Sequence, residues 1–175
     1  FQTVRAGDLP ALYDALVKLR LATPNIDTLA DVICCPGLDY CSLANAESIP
    51  VAQELMQRFD DLAELHDLGK IFVNMSGCIN ACGHHHTGNI GILGINKRGQ
   101  DFYQLALGGT SGGDNDAPSR LARISGRAFA RDEVVDAVAT VLQCYVDARE
   151  GDETFFETYQ RIGSAPFRKR LYGNQ

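Results

Sequence analysis

Two pairs of cysteines in glycine-containing loops constrain this chain more than any other feature. Five residues separate Cys35 from Cys41, and three separate Cys78 from Cys82. The second pair lies in the stretch 74–94. One apolar run, 71–73, precedes this stretch, and a second, 90–95, begins near its end. Apolar runs interrupted by a Cys- and Gly-containing segment are typical of strands joined by a turn. The chain is therefore predicted to present four thiols from two loops at the ends of strands.

Four thiolates from two loops are what a [4Fe–4S] cluster requires. Gly77 and Gly83, beside the second pair, would let backbone N–H groups approach the cluster and tune its reduction potential. Two alternatives remain open from the residues alone. One is a four-cysteine zinc site, although the five-residue spacing is wider than zinc sites usually show. The other is that these cysteines simply pack as small apolar side chains.

Four further features carry weaker predictions. Cys34 adjoins Cys35, and spacing alone allows either to be the ligand. Cys144 falls on the apolar stripe of a predicted helix and is expected to be a core residue. The run His84, His85 and His86 is either hydrogen-bonded and solvated or involved in proton delivery. The glycine-rich stretch 108–116 lacks the Lys-Ser/Thr of a phosphate-binding loop, so a flexible loop is predicted.

Length and charge exclude several classes. The chain of 175 residues suits one domain. Its net charge of −6 gives no support for binding nucleic acid or an anionic membrane, and no apolar run is long enough to span a bilayer. No leader peptide is recognisable, and clustered cysteines are typical of metal or redox sites in a reducing compartment, so a cytoplasmic location is expected. The chain begins at Phe1, and we expect it to be a fragment or a processed product.

The apolar periodicity predicts an α+β fold, with a small mixed β-sheet of about five strands, flanking helices and a C-terminal helical segment. Residues 1–27 are expected to be a helical linker and residues 28–175 the cofactor domain. Pro50 conflicts with a helix that starts near Ser42, so that helix either kinks or starts at Pro50. Helices are predicted over 8–20, 42–59, 60–68, 131–149, 153–162 and 166–171, and strands over 28–33, 71–75, 90–95, 102–107 and 121–124.

At these motifs the chain resembles the C-terminal part of the sulfite/nitrite reductase haemoproteins, a family of siroheme and [4Fe–4S] enzymes. Four stretches carry the resemblance: 35–46, from Cys35 through Cys41; 77–86, with Cys78, Asn80 and Cys82; 89–94; and 103–109. The ending from Arg161 through Pro166 also matches. The resemblance implies that Cys35, rather than Cys34, is the first ligand. Many members carry Pro and Gly where this chain has Ile79 and Ala81, but the cysteine spacing is intact.

The resemblance implies a coupled centre. Cys35, Cys41, Cys78 and Cys82 would hold the cluster, Asn80 would contact the cofactor, and the Cys82 sulfur would also be the axial ligand of the siroheme iron. The implied activity is assimilatory reduction of sulfite to sulfide by six electrons, with reduction of nitrite to ammonia as the alternative. The implied partners are the small anionic substrate, a ferredoxin or NADPH-flavoprotein donor, and the N-terminal remainder of the enzyme, which would supply most of the basic side chains. The chain alone is therefore not expected to turn over.

Three other functions remain open at this stage. One is an electron-transfer module that has the cluster but no haem. Another is a relative that uses the scaffold for cobalamin-type ring chemistry, and the last is a zinc-stabilised structural domain.

Overall fold

A computed structural model describes residues 3–112 and 118–173. Its described part is organised around one β-sheet in the order β1-β2-β3-β4-β5, with β6 paired to β4. The strands are β1 Ile33–Cys34, β2 Val73–Ser76, β3 Ile90–Lys97, β4 Gln100–Leu107, β5 Arg123–Ile124 and β6 Phe129–Ala130. The helices are α1 Leu9–Lys18, α2 Ile49–Arg58, α3 Leu62–Leu68, α4 Val134–Ala148, α5 Phe155–Ile162 and α6 Ala165–Tyr172.

The sheet is mixed, because β1, β2 and β3 run parallel while β4 returns antiparallel beside β3. Parallel neighbours need long connections, and here the segment between β1 and β2 contains α2 and α3. The predicted α+β class and mixed sheet are confirmed, with six strands rather than about five. One consequence is that the carboxyl ends of β1 and β2 lie at the same edge.

A two-residue turn closes the β3–β4 hairpin. Arg98 and Gly99 both adopt positive φ, as the turn type that suits a twisted hairpin requires. The Asn96 side-chain oxygen accepts the Gly99 N–H at 2.9 Å. The register pairs Lys97 with Gln100, so the predicted turn chemistry at 96–99 is confirmed.

Helix α4 supplies much of the core. Its stripe of Val134, Val138, Val141 and Tyr145 is buried, as the 3.6-residue period predicts. The Tyr145 hydroxyl lies within hydrogen-bond distance of the Leu68 carbonyl and of a carbonyl ahead of α5. Cys144 is also buried in this core, as predicted. The helix thus links α3 and α5 to the sheet.

One local prediction was wrong, one open alternative is decided, and one strand was not predicted. Residues 28–31 form turns rather than a strand: the Thr28 hydroxyl donates to the Asn25 carbonyl, and the Asp31 N–H donates to the Thr28 carbonyl. Only Ile33 and Cys34 pair with β2. Of the two alternatives for the second helix, a start at Pro50 is correct to within one residue, because the helix begins at Ile49 rather than near Ser42. Pro50 lies in its first turn, where the missing N–H costs nothing. The two-residue strand β6 was not predicted.

In the described part of the N-terminal segment, residues 3–27, no residue is buried. Helix α1 has no buried residue, and its Tyr13 side chain is 60% exposed. The boundary near residue 27 stays a prediction. Of the glycine-rich stretch predicted to be a flexible loop, residues 113–116 lie outside the described part of the chain. No helix among the described residues is long and apolar enough to cross a membrane.

Candidate cofactor site

The two cysteine loops leave the sheet side by side. Cys34 of β1 is in register with Met75 of β2, so the residues that follow these two strands enter their loops at the same edge of the sheet. The Cys35 N–H donates to the Met75 carbonyl at 3.1 Å. The Gly77 N–H donates to the Cys35 sulfur, also at 3.1 Å. The loop that carries Cys35 is therefore tied to the residue that precedes Cys78.

The return half of the first loop is tied to the same point. The N–H groups of Asn45 and Ala46 both donate to the Gly77 carbonyl, at 2.8 Å and 3.1 Å. Gly77 thus uses its N–H and its carbonyl to hold both sides of the first loop. The two loops form one hydrogen-bonded unit.

Glycine is required where these backbones meet. A Cβ on Gly77 would lie 2.7 Å from the Ala46 carbonyl oxygen and 2.8 Å from the Gly37 Cα. A Cβ on Gly83 would lie only 1.8 Å from the Met75 carbonyl oxygen. Real Cβ contacts are essentially never under 3.0 Å. Glycine at these two positions therefore permits close backbone packing, between the two loops and between the second loop and β2; the predicted approach of backbone N–H groups to a cluster stays a prediction.

Asp39 anchors the first loop to helix α2. One of its carboxylate oxygens accepts the backbone N–H groups of Ser48 and Ile49, each at 3.2 Å. The carboxylate also lies where the helix dipole favours negative charge. Ser48 is fully buried, and its hydroxyl oxygen lies 3.8 Å from the Cys35 sulfur. Sequence reasoning missed both residues. A Ser ahead of Pro50 is a recognisable N-cap signal, whereas Asp39 precedes Ser48 by nine residues and leaves no local signal.

The turn between Cys78 and Cys82 is tight and strained. Ala81 adopts φ +58° and His84 φ +52°, a left-handed conformation that costs a residue with a Cβ about 1–2 kcal/mol. The Ala81 N–H bonds to the Cys78 carbonyl at 3.3 Å, and the His84 N–H bonds to the Ala81 carbonyl at 2.8 Å. Strain of this kind tends to cluster at functional sites.

The four cysteines differ in exposure. All are free thiols; Cys78 is buried, Cys35 and Cys41 are half-buried, and Cys82 is exposed. Asn80, which the resemblance assigns to cofactor contact, is exposed in the same turn. Cys82 is therefore the sulfur that the fold leaves most open to a group outside this chain.

Cys34 has different surroundings. It packs against the hydrophobic core, and its thiol donates to the neighbouring Cys35 carbonyl at 3.0 Å. Burial raises the pKa of the Cys34 thiol to about 12, with Cys35 and Asp39 adding to the shift. Because a metal ligand must be a thiolate, these surroundings disfavour Cys34 as a ligand.

His85 is the buried member of the histidine run. It is 2% exposed, and neither ring nitrogen has a hydrogen-bond partner among the described residues. Burial, and then the neighbouring His86 ring at 3.9 Å, lowers the pKa of His85 to about 4. His84 and His86 are exposed. His85 is therefore neutral at physiological pH.

The side chains do not form a site for a single metal ion. Across residues 3–112 and 118–173, no three His, Cys, Asp or Glu side chains are grouped so that they could hold one ion. A zinc site needs all its sulfurs about 2.3 Å from one atom. In a four-iron cluster, by contrast, the sulfurs bind different irons and stand further apart. The zinc site that the sequence left open has no support in this geometry.

One family model matches most of the chain. The model of the nitrite and sulphite reductase 4Fe-4S domain matches residues 25–174. The chain belongs to this family. The predicted resemblance is confirmed, and the chain is part of an oxidoreductase family that is named for its iron–sulfur cluster.

Curated relatives carry both reductase names. The chain is 29% identical over 131 residues to the sulfite reductase [NADPH] hemoprotein beta-component of Bacillus velezensis, covering 74% of this chain and 22% of that protein. It is 30% identical over 164 residues to the assimilatory ferredoxin-dependent nitrite reductase of Haloferax mediterranei, covering 89% of this chain and 28% of that protein. The chain thus spans about a quarter of the length of these relatives.

Solved structures agree on the fold. The NirA protein of Mycobacterium tuberculosis superposes with a TM-score of 0.71 at 25% identity, over 94% of this chain and 31% of that one. The dissimilatory sulfite reductase DsrI superposes with a TM-score of 0.67 at 12% identity, over 78% of this chain and 50% of that one. The second likeness concerns the fold alone.

Proposed function

We propose that this chain is the cluster- and siroheme-binding part of an assimilatory sulfite reductase, which reduces sulfite to sulfide by six electrons. The observation that carries the proposal is the joining of the two cysteine loops at Gly77, whose N–H donates to the Cys35 sulfur. Such N–H donation is the contact that stabilises a cluster thiolate. Membership of a 4Fe-4S domain family supports the same centre.

Four residues would hold the cluster. Cys35 and Cys41 come from the loop after β1, and Cys78 and Cys82 come from the loop after β2. The fit rests on free thiols in two loops that are hydrogen-bonded to each other. Gly77 supplies an N–H to one of these sulfurs, and Asp39 fixes the first loop to α2.

Cys82 would also face the siroheme, as its axial ligand, and Asn80 would contact the same group. The supporting observation is that Cys82 and Asn80 are both exposed, whereas Cys78 is buried. When bound, the two cofactors supply an iron for the anion and a route for single electrons. The chain's own task is to fix the Cys82 sulfur at the surface through the strained turn at Ala81 and His84.

Relatives of both kinds match this chain similarly, so the matches do not favour either substrate. Sulfite is preferred to nitrite because the three-histidine variant resembles bacterial sulfite-type sequences. Reduction of nitrite to ammonia is the alternative for the same centre. Electrons would come from a ferredoxin or an NADPH-flavoprotein in the cytoplasm. Because the chain spans about a quarter of its relatives, the rest of the enzyme would supply most of the basic side chains around the anion.

The test is anaerobic reconstitution of the chain with iron, sulfide and siroheme, followed by absorption spectroscopy. We expect the bands of a cluster and, with siroheme, additional bands that Cys82→Ser abolishes and Cys144→Ser retains. Cluster bands without any siroheme bands would contradict the proposal and favour a cluster-only electron-transfer module. Steady sulfite-dependent turnover by the chain alone would contradict the assignment of the anion's basic side chains to another part of the enzyme.

A further inference from the structure

Two surface hollows meet at the junction of α5 and α6, away from the cysteine loops in sequence. One, of about 560 Å³, lies between the face of α6 and the turn at Gly126 and Arg127. The other, of about 500 Å³, lies between the end of α5, the end of β4 and the segment leading into β5. Ser164, which precedes α6, lines both. The two hollows therefore adjoin and can act as one site.

The charged side chains that line the two hollows are all basic among the described residues. Arg127, Arg168 and Lys169 line the first hollow, and Arg120 and Arg123 line the second. No described Asp or Glu lines either one. The chain as a whole has 22 acidic and 16 basic residues, so this segregation opposes its overall charge. A concave surface with one sign of charge concentrates ions of the opposite sign.

Two other hollows of the described surface differ in this respect. The hollow beside Arg149 also contains Asp67, Asp152 and Glu153. The hollow beside Lys70 contains Asp27. In both, carboxylates accompany the cations. The paired hollows at Ser164 are thus distinguished by lacking acidic side chains among the described residues.

Several of the cations are held by groups that do not neutralise them. The Arg120 guanidinium donates to the neutral Gln160 side-chain oxygen at 2.7 Å. The Arg127 guanidinium lies over the Phe129 ring at 5.5 Å and the Tyr172 ring at 5.9 Å. It also lies 3.9 Å from a carboxylate oxygen of Glu133, an exposed ion pair that contributes little. Arginines that are already positioned lose little conformational freedom when they bind an oxyanion.

The start of helix α6, at the residue that the two hollows share, also favours an anion. Ser164 makes no side-chain capping hydrogen bond at the start of α6. The Ser164 side chain therefore leaves the N–H groups of the first turn uncapped, and the helix dipole favours negative charge there. Arg123, Arg168 and Lys169 have no ion pair with a carboxylate among the described residues. The wall shared by the two hollows is thus suited to an anion on each side.

We propose that the paired hollows bind a small polyanion that carries at least two phosphate or carboxylate groups. One anionic group would lie against Arg168, Lys169 and Arg127, and the other against Arg120 and Arg123. The residues that line the two hollows include none from the cysteine loops 35–46 and 77–86, and the proposal does not depend on the proposed reductase function. Phosphate and carboxylate share the oxyanion chemistry that an arginine fork recognises.

Isothermal titration of the chain at low ionic strength tests the proposal, with inorganic pyrophosphate, orthophosphate and citrate as probes. We expect pyrophosphate or citrate to bind once per chain and at least roughly tenfold more tightly than orthophosphate, and their ranking identifies which oxyanion the site prefers. Arg123→Gln and Arg168→Gln, one in each hollow, should each weaken that binding roughly tenfold, since a charge-assisted bond contributes a factor of this order.

Lys18→Gln is the matched control, because it removes one exposed positive charge on α1, far from both hollows in sequence. It should leave the affinity unchanged, and thermal unfolding should show that all three variants remain folded. Three results would overturn the proposal. They are no binding of any probe, equal weakening by Lys18→Gln and Arg168→Gln, and binding of an acidic polypeptide such as poly-glutamate in place of the small anions.

Discussion

The backbone N–H of Gly77 lies 3.1 Å from the Cys35 sulfur and donates a hydrogen bond to it. Together with the Asn45 and Ala46 N–H groups, which donate to the Gly77 carbonyl, this bond joins the two loops that carry the four candidate ligands. It also places an N–H donor where a cluster thiolate would accept it, which tunes the reduction potential.

Gly77→Ala should separate the loops. The new Cβ would lie 2.8 Å from the Gly37 Cα and 2.7 Å from the Ala46 carbonyl oxygen, so the backbones must move apart. We expect a loss of about 1–3 kcal/mol in the free energy of unfolding and a lower yield of bound iron after reconstitution. Urea unfolding and iron analysis measure these two quantities. Gly7→Ala, whose Cβ would meet nothing within 4 Å, is the control. A Gly77→Ala protein as stable as that control would contradict the account.

Ala81→Gly should stabilise the second loop. Ala81 holds φ +58°, which glycine adopts without steric cost. We expect the free energy of unfolding to rise by about 0.5–1 kcal/mol, the size of such backbone effects. Ala44→Gly, in the first loop and not among the positive-φ residues, should instead lower it by a similar amount. If both substitutions destabilise equally, the backbone at position 81 is not strained as described.

Asp39→Ala should weaken both helix α2 and the first cysteine loop. The carboxylate accepts the N–H groups of Ser48 and Ile49, and losing a cap of this kind costs about 0.5–2 kcal/mol. Asp61 caps α3 in the same way, through Ala63 and Glu64. Asp61→Ala should therefore cost similar stability while retaining iron, whereas Asp39→Ala should also lose iron. Equal iron retention by the two variants would show that Asp39 has no role in holding the loop.

Stability should fall in acid because of His85. Its pKa is lowered to about 4 by burial, from about 6.5 in an unfolded chain. Between these values the unfolded state binds a proton that the folded state does not, so the free energy of unfolding decreases as pH falls from about 6.5 to about 4. The full effect is on the order of 3 kcal/mol. Urea unfolding between pH 7 and pH 4 measures it.

His85→Leu should remove most of this pH dependence, since it deletes the buried imidazole. It should not lower stability at pH 7, because both ring nitrogens lack partners in the described structure, and an apolar side chain of similar size leaves no orphaned polar atom. His66→Gln, at an exposed position on α3, should leave the pH dependence intact. A pH profile that His85→Leu does not change would contradict the burial argument.

Much of the fold could be predicted because its signals are local. The periodic apolar stripe through Val134 and Val141 predicted α4. The turn-forming residues 96–99 predicted the hairpin. Strand β6 could not be predicted, since Phe129 and Ala130 are strand residues only through pairing with Phe102 and Tyr103. Long-range pairing of so short a segment leaves no periodic signal in the sequence.

In the candidate site, too, the features with a local sequence signal could be predicted and those that depend on long-range packing could not. The spacing of the cysteines predicted two ligand pairs and their loops. It did not predict that Gly77 donates to Cys35, or that Asp39 ties the first loop to α2. Both contacts depend on how two distant loops pack, which requires the parallel pairing of β1 with β2. Whether Cys34 or Cys35 is the ligand was likewise left open by spacing, whereas the structure packs Cys34 against the core.

The most direct test of the account is the iron and acid-labile sulfide content of the anaerobically reconstituted chain, combined with electron paramagnetic resonance after reduction. We expect one [4Fe–4S] cluster per chain, lost in the serine variants of Cys35, Cys41, Cys78 and Cys82 and retained in Cys34→Ser and Cys144→Ser. Stoichiometric zinc in place of iron and sulfide, or loss of the cluster in Cys34→Ser but not in Cys35→Ser, would contradict it.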